Sequence, residues 1–195
     1  MKVTLIFLLV FIGSTNFVLS DGGCLPTGDT TNPKLEALNL LKNRPVSTPD
    51  NINSEVTLGE MYNSGDVADK FNQHDAATVQ GYLFNAKQEK GESCNCHTDD
   101  VDKQDIHIYI SPNAHASSIA DCVVVEMSAN GKAAHPEWTA AYIKKMKGHK
   151  VSVTGYLLYD FEHTSQSYDT NPDGGTIYRH TVWEIHPITD IHIIQ

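Results

Sequence analysis

A mainly β chain whose strands close into a small five-stranded barrel is the fold class this sequence predicts, and three observations predict it. Five segments with strand character follow one another from residue 76 to the end of the chain. One helical segment falls between the third and the fourth of them. Two of the strands carry a glycine at mid-length, Gly81 and Gly155, where barrel closure needs a sharp bend or a bulge.

Each element has its own justification. ATVQGYLFNAK is the first strand, bent at Gly81. DIHIYI alternates strictly, so Ile106, Ile108 and Ile110 face one way and Asp105, His107 and Tyr109 the other. CVVVEM, opening at Cys122, reads as a buried third strand. HPEWTAAYIKKMKG has Pro136 and Glu137 at its start, lysines at its end and Gly148 as a stop, the marks of a helix. Trp138, Tyr142 and Met146, four residues apart, form its expected apolar stripe. KVSVTGYLLYD is the fourth strand, and TVWEIHPITDIHII the fifth, in which Pro187 requires an edge position or a bulge. Glu184 and His186 share one face of that strand, with Trp183 and Ile185 opposite. Five strands with one helix between the third and fourth are the order of the OB fold, a Greek-key barrel. A β-sandwich would need more strands, and a ferredoxin-like fold would need a helix where residues 87–104 are polar loop.

The segment before the barrel divides into three. Residues 1–20 combine Lys2, an apolar run from Val3 to Ile12 and a small-residue end, the layout of a secretory signal cleaved near Asp21. A rival reading is a lipid anchor on Cys24, although Asp21-Gly22-Gly23 is a poor preamble for one. Residues 21–34 have the composition of a linker, and residues 35–75 form a helical extension. There PKLEALNLLKNR gathers Leu35, Leu38, Leu40 and Leu41 on one helical side, and LGEMYN begins a weaker patch. No other run is long enough to cross a membrane, so an exported protein, periplasmic or secreted, is expected.

Formal charge is -10 at pH 7, and cleavage would remove Lys2 but no acid. A carboxylate excess of this size repels phosphate backbones and disfavours generic nucleic-acid binding. Four cysteines, Cys24, Cys94, Cys96 and Cys122, are candidates for disulfides in an exported chain. A Cys94–Cys96 bridge would be strained, so one of that pair is expected to reach Cys24 or Cys122, while Cys122 also reads as a small hydrophobe in its strand. Cys-x-Cys-His is a weak metal signal by itself.

OB barrels place ligands across the second and third strands, between the loops joining strands one to two and four to five. Those loops here are KQEKGESCNCHTDDVDKQ and DFEHTSQSYDTNPDGGTIYRH. They would set Cys94, Cys96 and His97 against Asp160, Glu162 and His163. An acidic stretch, HTDDVDKQD, only approximates a calcium loop, and no GxSxG elbow appears. Tyr82, Tyr109, Tyr156 and Tyr159 offer stacking surfaces or, more commonly, packing.

The stretches TVQGYLFNAKQEKGESCNCHTDD, DIHIYI, VTGYLLYDFEH, DTNPDGG and RHTVWEIHPIT resemble a group of uncharacterised exported bacterial proteins regarded as OB-fold-like and labelled nucleic-acid-binding from fold alone. The resemblance runs from about Leu35 to Ile194 and implies the same fold and export, without an activity.

Two functions are expected from these features. The first is a non-catalytic OB-type binding module without cofactor, taking an oligosaccharide, a protein or a nucleic acid in the groove between the two loops. Asp105, His107, Tyr109, His163 and Arg179 would contact the ligand, with Lys103, Arg179 and His180 available for anions. The alternative is a hydrolase dependent on a divalent metal and acting on phosphodiesters. His107, His163 and His186 would be its ligands, and Glu162 or Glu184 its general base.

Overall fold

Alternating apolar residues on five strands meet at one axis, and the sheet closes on itself. The computed structural model describes residues 23–195, so the expected signal segment lies outside the described residues. The strands are β1 (Ala76–Gln88), β2 (Ile106–Ser111), β3 (Val123–Met127), β4 (Lys150–Tyr159) and β5 (Trp183–Ile193). They form a closed barrel in the order β1-β2-β3-β5-β4, with a parallel β3–β5 contact at Val125 and Ile185 sealing the seam. The expected OB-type barrel is therefore present. Ile106, Ile108, Ile110, Val125, Trp183 and Ile185 fill its interior.

Two glycines are required by close approach. A Cβ on Gly81 would stand 2.3 Å from Leu58 Cδ2 and 2.9 Å from the Ser111 carbonyl oxygen. One on Gly155 would stand 2.5 Å from the Pro187 carbonyl oxygen and 2.6 Å from Ile185 Cγ2. Around Gly155 the β4–β5 register shifts, so Pro187 occupies a bulge within a strand paired on both sides, following a cis His186–Pro187 peptide.

The helical connection between β3 and β4 is divided. It consists of α3 (Ala129–Ala134) and α4 (Ala140–Lys144), capped by the Ser128 and Thr139 hydroxyls. Because α4 begins only after Trp138, the expected stripe is replaced: Ile143 joins Trp138 and Met146 in the core, and Tyr142 faces out.

The N-terminal helices are α1 (Pro33–Lys42) and α2 (Leu58–Tyr62). Leu58 and Met61 of α2 join the barrel core. On α1 the expected leucine side is buried in part: Leu38 is buried, Leu35 and Leu41 are half-buried and Leu40 is exposed, while Asn39 and Lys42 are buried as well. Asn39 Nδ2 donates to the Thr27 carbonyl and to Ser93 Oγ, and Asn43 Nδ2 donates to the Pro26 and Cys94 carbonyls. The stretch read as a linker is thus fastened to the β1–β2 loop, and a Cys24–Cys96 disulfide across 72 positions locks it there. Cys94 and Cys122 are free and buried. No helix among the described residues is long and apolar enough to cross a membrane.

Gly155→Ala should cost about 1–3 kcal/mol through overpacking at the bulge, measured by urea unfolding. Cys96→Ser should cost about 2–5 kcal/mol, and reductant should produce a comparable loss in the unsubstituted protein but none in the variant.

Candidate functional site

The side of β2, β3 and β5 that points away from the barrel interior would ordinarily be wet. Here it is covered. His107 of β2 lies opposite Glu126 of β3 in the register, and Glu184 and His186 project from the same side of β5. Lys42 reaches in from α1, Glu92 and Cys94 come from the β1–β2 loop, and Asp105 immediately precedes β2. Asp160 and His163 close the far side at the 3₁₀ helix Phe161–Gln166, and Arg179 enters from later in the same loop. The hydrogen bonds and disulfide of the N-terminal stretch hold this cover down.

The ionisable groups form a ring of short contacts. His107 Nε2 is 2.7 Å from Glu126 Oε1 and 3.5 Å from Glu92 Oε1. His186 Nδ1 is 3.4 Å from Glu126 Oε2, and its Nε2 is 3.5 Å from Asp105 Oδ2. Cys94 Sγ lies 3.8 Å from Asp105 Oδ2 and 3.2 Å from Glu92 Oε2, closing the ring. Several of these contacts are not hydrogen bonds. Glu92 Oε1, His107 Nε2, both Glu126 oxygens and His186 Nε2 are buried with no hydrogen-bond partner, because the donors and acceptors are not aligned on one another. They are arranged instead as three overlapping triads: Glu92, Cys94 and Asp105; Glu92, His107 and Glu126; and Asp105, Glu126 and His186. Within each triad one potential ligand atom per residue lies within 4.8 Å of the others.

Charge balance sharpens this. Five carboxylates, Glu92, Asp105, Glu126, Asp160 and Glu184, have side chains no more than 13% exposed, against two permanent cations, Lys42 and Arg179. Lys42 Nζ lies 2.7 Å from Asp160 Oδ2 and 3.1 Å from Glu92 Oε2, and Arg179 Nη1 donates to Glu184 Oε2 at 2.7 Å. A buried charge without compensation is too costly to persist, so protons or another cation must make up the deficit.

The titration behaviour follows. Burial alone would depress His107 and His186, but Glu126 in both cases, joined by Glu92 or by Glu184 and Asp105, overcomes it and raises them. Burial, with Glu92 and Glu126 nearby, lifts Asp105 to about 6. Glu92 and Glu184 go the other way. Burial opposes their ionisation, yet Lys42 and the two neighbouring histidines hold Glu92 down, while His186 and Arg179 hold Glu184 down. Lys42 is raised against the effect of burial by Asp160 and Glu92, and burial pushes the Cys94 thiol well up.

The structure brings together Asp105, His107, His163, Arg179 and His186 from the expected set. His163 Nε2 stands 3.5 Å from Asp160 Oδ2 and 3.8 Å from Glu92 Oε1, at the edge of the ring. Glu184 is held between Arg179 and His186, which suits it to orienting the imidazole rather than carrying a proton. Glu162 is exposed beside the cluster. Tyr109 belongs to a separate apolar group with Cys122 and Val124. His180 stacks on Tyr62 with ring centroids 3.5 Å apart, and half-buried Lys103 lies near Asp100. Lys42, Glu92 and Glu126 are the participants sequence reasoning missed. A single acid inside the run VVVEM was the available signal, since an ionisable group in a buried strand demands a partner.

A cavity of about 480 Å³ lies against the cluster, lined by Asp29, Lys90, Glu92, His97, Glu162 and His163. The two long loops therefore meet, as the barrel geometry requires. A second cavity, about 630 Å³, touches the cluster through Cys94 and extends towards Lys132 and Trp138.

Fold and site together define a small OB-type barrel with a sealed histidine–carboxylate centre. No family model matches the chain and no curated protein matches it.

The pKa pattern fixes a pH dependence. Groups raised in the folded state, His107, His186 and Asp105, contribute stability that is lost as pH rises through their shifted values. Depressed Glu92 and Glu184 contribute stability present above the ordinary carboxylate range and lost as pH falls below it. In the presence of chelator the melting temperature should peak between about pH 4.5 and 6.5 and decline on both sides. Calorimetry showing a steady rise from pH 6 to 9 would contradict the arrangement.

Proposed function

We propose that this protein is an OB-type module that holds a divalent transition-metal ion between His107, Glu126 and Glu92 and uses it to hydrolyse a small ester, with phosphodiesters as the first class to test. The observation that carries this reading is the convergence of buried donor atoms that lie within contact of one another yet make no hydrogen bonds. Mixed imidazole and carboxylate donors suit zinc, manganese or iron. His107 Nδ1 sits 3.4 Å from Glu89 Oε2, so a carboxylate stands behind the ring as it does behind many metal-bound histidines.

The chemistry follows from position. A substrate in the 480 Å³ cavity would meet the centre through Glu92 and His163, the residues common to the cavity and the cluster. The ion would lower the pKa of a bound water to about 7 and so supply the nucleophile. Glu162 lines the cavity at its exposed edge, where partial desolvation raises its carboxyl, and is placed to move a proton. The net charge of -10 favours a small substrate over a long polyanion. Burial of Asp105, His107, Tyr109 and Arg179 speaks likewise against a polymer laid across the barrel face, which was the binding-module expectation. The Cys24–Cys96 bridge and the resemblance to exported bacterial proteins support export into an oxidising compartment.

Purified protein should carry at least about one equivalent of metal, lose it to chelator with a fall in melting temperature, and hydrolyse bis(4-nitrophenyl) phosphate only when loaded. His107→Ala should weaken metal affinity about 10–100-fold. A metal-free protein whose melting temperature ignores both chelator and added zinc, manganese or iron would defeat this reading.

A further inference from the structure

The ring contains more donors than one ion can use, and they are shared in a particular way. Each carboxylate of the ring belongs to two triads: Glu126 to those of His107 and His186, Glu92 to those of His107 and Cys94, Asp105 to those of His186 and Cys94. Glu126 presents a different oxygen to each histidine, Oε1 towards His107 and Oε2 towards His186, and neither oxygen has a hydrogen-bond partner. A carboxylate in that situation is disposed to bridge.

We infer that the ring is a two-metal site: a second divalent ion sits between His186, Asp105 and Glu126, with Glu126 bridging the two ions and the Cys94 sulfur at the edge of the second position. This inference rests on the single-ion reading above and extends it. His186 is fully buried, and its Nδ1 lies 3.2 Å from Glu184 Oε1, which Arg179 in turn anchors. A proton on Nδ1 shared with Glu184 leaves the Nε2 lone pair directed towards Asp105 Oδ2, 3.5 Å away, with no hydrogen-bond partner of its own. A carboxylate behind the ring and an unpartnered nitrogen in front of it resemble on β5 what Glu89 and His107 make on β2, with the difference that Glu126 Oε2 lies nearer Nδ1 of His186, at 3.4 Å, so the bridging carboxylate must reach past the ring edge to share an ion with Nε2. Asp105 is oriented independently, since its Oδ1 accepts from the Ala129 amide while Oδ2 faces His186 and Cys94.

Charge compensation agrees. With neutral histidines and a protonated Cys94, the five carboxylates exceed Lys42 and Arg179 by three negative charges, more than one divalent ion neutralises. Ions bridged in this way stand about 3.5–4 Å apart, the separation used for in-line displacement at ester centres.

The test is stoichiometry and coupling on the folded, disulfide-intact protein. After chelation and dialysis, titration with cobalt or zinc should load two ions per chain, and two manganese ions should give an exchange-coupled resonance rather than the isolated six-line signal. His186→Asn should reduce the load to one and should weaken the remaining site less than His107→Asn does. Cobalt-loaded protein should show a thiolate charge-transfer band that Cys94→Ser removes. One ion per chain with an isolated manganese signal would overturn the second site and leave the first standing; no ion at all would overturn both. The coupling measurement uses the unsubstituted chain, so it decides the matter even if a variant fails to fold.

Discussion

The interaction on which the rest of this structure depends is the mutual repulsion of five carboxylates held together out of water. Such a cluster survives only if cations reach it, because the cover that excludes water also removes the solvent that would screen the charges. Lys42 and Arg179 meet part of the first requirement, each within hydrogen-bond distance of an acid. The remainder falls to protons on His107, His186 and Asp105 or to bound cations. Protons and metal ions compete for the same lone pairs, so the protonation that stabilises the protein in chelator is what an ion would displace. The acidic groups are individually costly, and replacing such a network by apolar residues is frequently neutral or stabilising. A fold that keeps one invites a chemical explanation.

The cover explains the odd features of the N-terminal half. A helix that buries Asn39 and Lys42 while exposing Leu40 is a poor packing element but a good way to deliver an ammonium group to a closed site. Its anchorage to the β1–β2 loop is polar and covalent, through Asn39, Asn43 and the Cys24–Cys96 bridge. α2 does the opposite, placing Leu58 and Met61 in the barrel core, with Leu58 where a Cβ on Gly81 would otherwise stand. One extension therefore has two tasks, sealing the barrel interior and sealing the site on its flank.

Strand chemistry sets the positions of the donors more rigidly than loop chemistry could. His107 and Glu126 face each other across a β2–β3 ladder, and Glu184 and His186 are fixed two residues apart on β5 beside the bulge at Gly155 and Pro187. Glu92, Cys94, Asp160 and His163 come from loops, and Glu92, Cys94 and His163 line the two cavities.

Local rules were enough for much of this molecule. Period-two alternation marked β2 and the two faces of β5, a continuous apolar run marked β3, and mid-strand glycines and Pro187 marked the bends. Alternation in DIHIYI put His107 on the face opposite the isoleucines, and alternation in WEIH put Glu184 and His186 together opposite Trp183 and Ile185. What alternation could not say is whether an outward face is wet. That depends on the cover, whose docking is decided by contacts such as Asn39 with Ser93 and Lys42 with Asp160, pairs more than fifty residues apart. Lys42 in sequence is an ordinary lysine at a helix end, and Glu126 a lone acid in an apolar strand. Only closure of the barrel and burial beneath α1 bring them within reach of the same carboxylates and imidazoles, because pairing charges across the chain is a property of the assembled low-dielectric interior and leaves no local pattern.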